Sequence, residues 1–173
     1  MPSPAALPPL LILLALGIAG CSSRVAIQGE SGEPRHHILI THSPAESDEL
    51  RGQIVVSAIT QSGKNYRYGG NGPEDFDCSG LVRYVYSQVG ITVPRTTLSL
   101  FNEGEPVKLA DARPADLLFY RFEDSPGPPS HVMIYIGNGE AIHAPAGGKV
   151  VRSAHIDSAG FRKRFMGARR MMD

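Results

Sequence analysis

A thiol and two imidazoles carry the chemistry legible in this chain. Cys78 stands in Phe76-Asp77-Cys78-Ser79-Gly80, and His131 and His143 follow where a thiol nucleophile needs a base and a group to orient that base. The other cysteine, Cys21, closes Leu16-Gly17-Ile18-Ala19-Gly20-Cys21, an apolar segment ending at small residues. That pattern reads as a processing site and not as half of a disulfide, which leaves Cys78 as the candidate reactive thiol.

The elements that must position these groups follow from local patterning. Asp77 stands where an N-cap belongs, and Leu81, Val82, Val85 and Val89 form a helical stripe that Gly90 stops. A cysteine in the first turn of that helix meets the positive end of the macrodipole and unpaired N–H groups, both of which favour thiolate. A free thiol titrates near ~8.5, and such surroundings bring it to roughly 3.5 to 7.5. The alternative is a small buried hydrophobe, common for cysteine. The histidines tip the balance. In His131-Val132-Met133-Ile134-Tyr135-Ile136 the odd positions share one strand face and the even positions form an aliphatic one. Pro126-Gly127-Pro128-Pro129-Ser130 precedes His131, which puts it at a strand start, where a side chain can meet a helix end. His143 lies in the next short run, one Asn138-Gly139 hairpin away, so paired strands bring the imidazoles together, with His131 as base and His143 as its orienting partner.

Around this nucleus the spacing predicts a domain beginning near Pro44. Ser47 is the expected cap of a helix with apolar positions Leu50, Ile54, Val55, Ala58 and Ile59, ending near Gly63. A glycine-rich loop through Tyr66 and Gly72 leads to Cys78. Strands are expected at residues 116–122, 131–137, 140–144, 149–153 and 161–170, and the five cations of the last run read as a solvated strand face.

The chain has 173 residues, 17 basic and 17 acidic, which fits one ordinary domain and gives no reason to expect a nucleic-acid partner. Residues 10–19 are apolar but far short of the roughly 20 needed to span a bilayer, and match a signal-peptide core. The small residues before Cys21 resemble a bacterial lipobox, although residues 1–9 hold no Lys or Arg. The resemblance implies an acylated (palmitate-bearing) Cys21 that anchors the mature chain to a membrane, and Ser22 favours an outer-membrane lipoprotein facing the periplasm. The organisation expected is a signal peptide at residues 1–20, a tether at 21–45 and a catalytic domain at 46–173. His36, His37 and His42 lie on the tether without the Cys or carboxylate spacing of a four-ligand metal site, so no metal is assigned.

Taken together, Tyr66-x-x-Gly69-Gly70, Phe76-Asp77-Cys78-Ser79-Gly80, Val93-Pro94-Arg95-Thr96-Thr97, Asp116-Leu117-Leu118-Phe119, His131-Val132-x-Ile134-Tyr135-Ile136-Gly137-Asn138-Gly139, Ile142-His143-Ala144 and Ala168-Arg169-Arg170 resemble the NlpC/P60 cysteine peptidases in order and spacing. The resemblance implies a papain-like α+β fold, with N-terminal helices packed on a central antiparallel sheet, and a single-domain lipoprotein type of murein endopeptidase. It implies Cys78 as nucleophile, His131 as general base and later acid, His143 as the third member, and Tyr66 near the nucleophile and the oxyanion site. Core packing is the alternative for Tyr66. Asp77 and Ser79 match positions that contact substrate in some members, and both are equally explained as helix-capping residues. Arg95 fits either a stem-peptide carboxylate or a structural ion pair.

Met133, Leu100 and Ala115 depart from the usual glycine, glutamine and glycine of the family, and Tyr68 replaces a common tryptophan. Met133, sharing the face of His131, is expected to narrow the cleft or shift specificity. No cofactor is implied. The expected reaction cleaves an amide in peptidoglycan through a thioester, at D-Ala to diaminopimelate cross-links first and γ-D-Glu to diaminopimelate bonds second. Two alternatives stay open: a catalytically silent wall-binding module, and a Cys/His acyltransferase or lipase. An adaptor or a regulatory protease is also left open as a partner.

Overall fold

The computed structural model describes residues 43–172. The apolar segment, Cys21, His36, His37 and His42 lie outside the described residues.

The first helix, α1 (Pro44–Thr60), starts earlier than the expected boundary at residue 46. Its cap is Ser43 and not Ser47: the Glu46 N–H donates to Ser43 Oγ (3.3 Å) and the Ser43 N–H to Glu46 Oε2 (3.4 Å), a reciprocal capping box with Pro44 at the first position. Ser47 is instead buried on the inner face with Arg51, Ile54 and Ala58. Ile59, expected in the apolar stripe, is largely exposed, because the buried face follows the spacing 47, 51, 54, 58 and a buried arginine takes the place of an aliphatic residue.

After the short parallel pair β1 (Asn65–Tyr66) and β2 (Asp75–Phe76) comes α2 (Cys78–Ser87), then α3 (Thr97–Glu103) and β3 (Glu105–Val107). The rest is β4 (Leu117–Tyr120), β5 (His131–Gly137), β6 (Glu140–His143), β7 (Arg152–His155), α4 (Ala159–Arg164) and β8 (Phe165–Arg170). Six strands form one antiparallel sheet in the order β3-β8-β4-β5-β6-β7. The α+β class with a central antiparallel sheet therefore holds. The hairpin joining β5 and β6 turns at Asn138 (φ 52°) and Gly139 (φ 75°), both left-handed, as a two-residue primed turn requires.

Strand alternation divides the sheet into two packed faces. Leu117, Phe119, Val132, Ile134 and Ile142 pack with Leu81, Val82 and Val85 of α2, and with Ile54 and Ala58 of α1. Leu118, Tyr120, Met133, Ala141 and Ala168 form the opposite face, with Phe161 and Phe165 against it. Met133 is fully buried there, so it fills the core and does not narrow the cleft.

Two expected strands are displaced or divided. The run at 149–153 pairs later, as β7 from Arg152, and the helix α3 and strand β3 were not foreseen. Residues 161–170 are not one strand: residues 161–164 belong to α4, whose last turn holds Arg162, Lys163 and Arg164. Cations at a helix C-terminus are electrostatically favoured, and Phe161 docks edge-on against Tyr120 (5.3 Å between centroids). The two arginines of β8 also do not form a solvated face, because Arg169 stacks over Phe101 at 3.8 Å and Arg170 reaches inward to Asp116, whereas Arg162 and Lys163 on α4 are exposed.

Asp116 ties the layers together. Its buried carboxylate accepts from Arg51 (3.2 Å), from Arg170 (2.7 and 3.0 Å) and from the Arg113 N–H (2.8 Å). Arg51 also donates to the carbonyls of Pro114 and Met172, so α1, the entry to β4 and the chain after β8 meet on one charge cluster. Just before it, Ala115 has φ 73°, the left-handed region that glycine adopts freely, which gives a physical reason for the glycine usual at this place.

Candidate active site

Cys78 is the first residue of α2, and Asp77 caps the helix by accepting the Gly80 N–H at 2.7 Å. The glycine-rich loop folds back on this first turn: Asp77 N–H donates to the Gly70 carbonyl (3.0 Å), and a Cβ at Gly80 would come within 1.9 Å of that same oxygen. Gly80 is thus required for the loop to reach the helix start and hold the thiol at its edge. The Cys78 sulfur lies 3.6 Å from Thr97 Oγ1, at the start of α3, and within reach of the backbone N–H groups of Val132 and Ser79.

His131 and His143 meet as their strand positions predict. His131 Nε2 and His143 Nδ1 are 2.8 Å apart, and both rings are buried. Phe122 meets His131 edge-on and Phe161 meets His143 edge-on, fixing the pair from the second sheet face. Cys78 adjoins Val132, the residue after His131, but its side-chain hydrogen-bond partner is Thr97 and not the imidazole. For His131 to accept a proton at Nδ1, its own proton must sit on Nε2 and be donated to His143 Nδ1, which places the His143 proton on Nε2. His143 Nε2 is the one buried side-chain nitrogen or oxygen without a partner among the described residues.

The remaining candidates line a groove of about 460 Å³ in front of the thiol, among them Tyr66, Tyr68, Asp77, Ser79 and Arg95. Arg95 holds Asp77 in a bidentate pair (3.0 and 2.7 Å) and donates to Ser79 Oγ (3.0 Å). The ion-pair reading of Arg95 and the capping reading of Asp77 are therefore realised in the fold, on a wall that also faces the groove. Tyr66 is half-buried beside the thiol, and Tyr68 projects at the rim. Thr97, Ser130, Lys149 and Arg152 also line the site and were not singled out; only the Thr96-Thr97 pair, a helix-cap pattern after Pro94-Arg95, signalled any of them.

The electrostatics differ from the expectation of a pre-formed thiolate. Burial pushes the Cys78 thiol above its ordinary value, outweighing the bonds from Thr97 and the Val132 N–H, and Asp77 adds repulsion. Burial lowers His131 to about 4. His143 falls to about 3, through burial first and then through His131, Arg152 and Lys149. Burial alone would raise Asp77, but Arg95 and the Gly80 N–H hold it below the usual carboxylate range. The resting site is thus a neutral thiol beside neutral imidazoles.

A stability prediction follows. Both histidines have folded pKa values below the unfolded value of about 6.5, so the unfolded chain binds more protons between pH 6.5 and 4 and stability falls as pH drops through that window. Asp77, also lowered on folding, acts in the same direction but only below the ordinary carboxylate value of 3.8, outside this window. Urea unfolding at pH 7.5 and 4.5 should show a loss on the order of 5 kcal/mol from the two groups together, and His131→Asn/His143→Asn should flatten it. An equal loss in that double variant would remove the histidines as its cause.

The NlpC/P60 family matches residues 63–170. A probable endopeptidase of Mycobacterium tuberculosis is 41% identical over 110 residues, 64% of this chain and 27% of that protein. The γ-DL-glutamyl hydrolase of Bacillus subtilis is 36% identical over 129 residues, 73% of this chain and 31% of that protein. Among solved structures, the NlpC/p60 domain of the peptidoglycan hydrolase SagA superposes with a TM-score of 0.61 at 35% identity, covering 70% of this chain and 98% of that one. The chain belongs to the NlpC/P60 family. It spans about a quarter to a third of the length of those two relatives.

Proposed function

We propose that this chain is a cell-wall hydrolase, a cysteine endopeptidase that cleaves amide bonds in peptidoglycan stem peptides or cross-links. The observation that carries the reading is the placement of Cys78 at the start of α2, in the floor of an open groove and next to the strand that presents the linked His131–His143 pair. Relatives named as an endopeptidase and a γ-DL-glutamyl hydrolase support it.

In this mechanism the Cys78 proton passes to His131 Nδ1 as the sulfur attacks the amide carbonyl. The helix-start backbone N–H groups, with Tyr66 beside them, stabilise the oxyanion. The C–N bond breaks as His131 returns the proton to the leaving amine. A water, deprotonated by His131, then hydrolyses the thioester. His143 holds the imidazole and shares its transient charge. Because burial disfavours both separated charges at rest, proton transfer accompanies attack and does not precede it. Asp77, Ser79 and Arg95 form the groove wall that receives the acyl part of the substrate. D-Ala to diaminopimelate cross-links are the first choice of bond, and γ-D-Glu to diaminopimelate bonds the second.

Incubation with purified sacculi and, separately, with phospholipid vesicles tests the reading. Soluble muropeptides from sacculi and no lipid product are expected. Lipid turnover would support the acyltransferase or lipase instead, and binding to sacculi without turnover would support the silent module.

The anchor belongs to the same proposal: an acylated Cys21 would hold the domain at the outer membrane facing the periplasm. Cys21→Ala should move the protein from the membrane to the soluble fraction while leaving hydrolysis of soluble muropeptides intact. Retention of Cys21→Ala in the membrane fraction would remove the anchor.

A further inference from the structure

A second cavity, of about 360 Å³, meets the thiol groove at Ser130. Ser130 lines both, Cys78 lines the first, and His131 and His143 line the second. Phe122 and Phe161 give this cavity apolar walls, and Lys149 and Arg152 bring two cations to it. Neither cation makes an ion pair or side-chain hydrogen bond among the described residues, and both are exposed. The acidic group in the same wall, Glu123, is already within 3.6 Å of Arg121.

We propose that this cavity receives the residue whose amine leaves, and that Lys149 and Arg152 bind that residue's free carboxylate. The proposal rests on the endopeptidase reading for its orientation. The acyl part of the substrate must bond to sulfur and the leaving amine must take its proton from His131, so the side lined by Cys78 holds the acyl portion and the side lined by His131 holds the amine portion. Two unpaired cations beside aromatic walls fit an amino acid that has an aliphatic stem and a carboxylate.

The same cations oppose a positive charge on His143 in the empty site. A bound carboxylate removes that opposition when the histidine pair accepts a proton, so the substrate completes the electrostatics of the site. The selectivity follows from bond chemistry. In a D-Ala to diaminopimelate cross-link the carbon bearing the leaving amine also bears a carboxylate. In a γ-D-Glu to diaminopimelate bond within a longer stem, the corresponding carboxyl is tied up as an amide. The cavity therefore favours cross-links whose leaving residue keeps its carboxylate free.

The test uses full-length Cys78→Ala protein and two cross-linked muropeptide dimers that differ only in a free carboxylate or a primary amide on the leaving residue. Calorimetry should show the free carboxylate binding tighter by at least about tenfold. Adding Lys149→Met and Arg152→Met should bring the two affinities together, with circular dichroism confirming the fold. Equal affinities in Cys78→Ala, or a preference that survives the loss of both cations, would overturn the assignment. The chain with Cys78 intact is assayed for cleavage of the same dimers. Absence of cleavage with the binding preference retained would refute the endopeptidase reading and still support the carboxylate pocket.

Discussion

His131→Ala is expected to lower muropeptide turnover by about three orders of magnitude, the middle of the range for loss of a general base and acid. The substitution removes the proton acceptor for Cys78 and the donor for the leaving amine together, because one imidazole serves both steps. His143 acts differently, since it orients His131 Nε2 from 2.8 Å and shares the imidazolium charge without reaching the substrate bond. His143→Asn retains a hydrogen-bonding side chain and should keep part of the activity, whereas His143→Ala should lose much more. The pH profile separates these chemical roles from packing. With His131 near 4 and the thiol above its ordinary value, kcat/KM should stay flat from pH 8 down to about 5. A fall centred at the unperturbed histidine value near ~6.5 would contradict the buried neutral pair.

Asp116→Ala is expected to destabilise the domain by about 3–5 kcal/mol, because it strands a buried guanidinium. Arg51 is 4% exposed and Asp116 1% exposed, so water cannot replace the lost carboxylate. Arg170 loses its two short bonds at the same time. Against a typical total of about 5–15 kcal/mol, this brings the chain close to unfolding at ordinary temperature. Arg51→Met should cost less, since Asp116 keeps Arg170 and the Arg113 N–H. Urea midpoints for the two variants check the order. A larger loss for Arg51→Met would show that α1 packing, and not the charge cluster, dominates.

What could be read in advance depended on local rules. Asp77, Cys78 and Gly80 announce a capped helix start within four residues, and the Asn138-Gly139 turn fixes the register that brings His143 to His131. The Asp116 cluster could not be read this way, because its partners lie at positions 51 and 170 and meet only once the sheet has formed. Residues 161–164 failed for a related reason: their apolar and basic pattern suits a strand, but docking of Phe161 on Tyr120 and the second sheet face selects a helix. The direction of the Cys78 shift was missed because a helix N-terminus is visible in sequence and burial is not. Lys149 and Arg152 carry no motif and acquire meaning only from the cavity between the histidines and Phe161.

Mass spectrometry of the products released from defined sacculi by the intact chain and by Cys78→Ser tests the central claim most directly. Cys78→Ser preserves the shape of the helix start but replaces a thiol with a hydroxyl that neutral imidazoles deprotonate poorly. The account predicts new amine and carboxylate ends at one stem-peptide or cross-link amide from the intact chain, and almost none from Cys78→Ser of matching thermal stability. The same muropeptides released at the same rate by Cys78→Ser would contradict it and leave Cys78 a packed core residue.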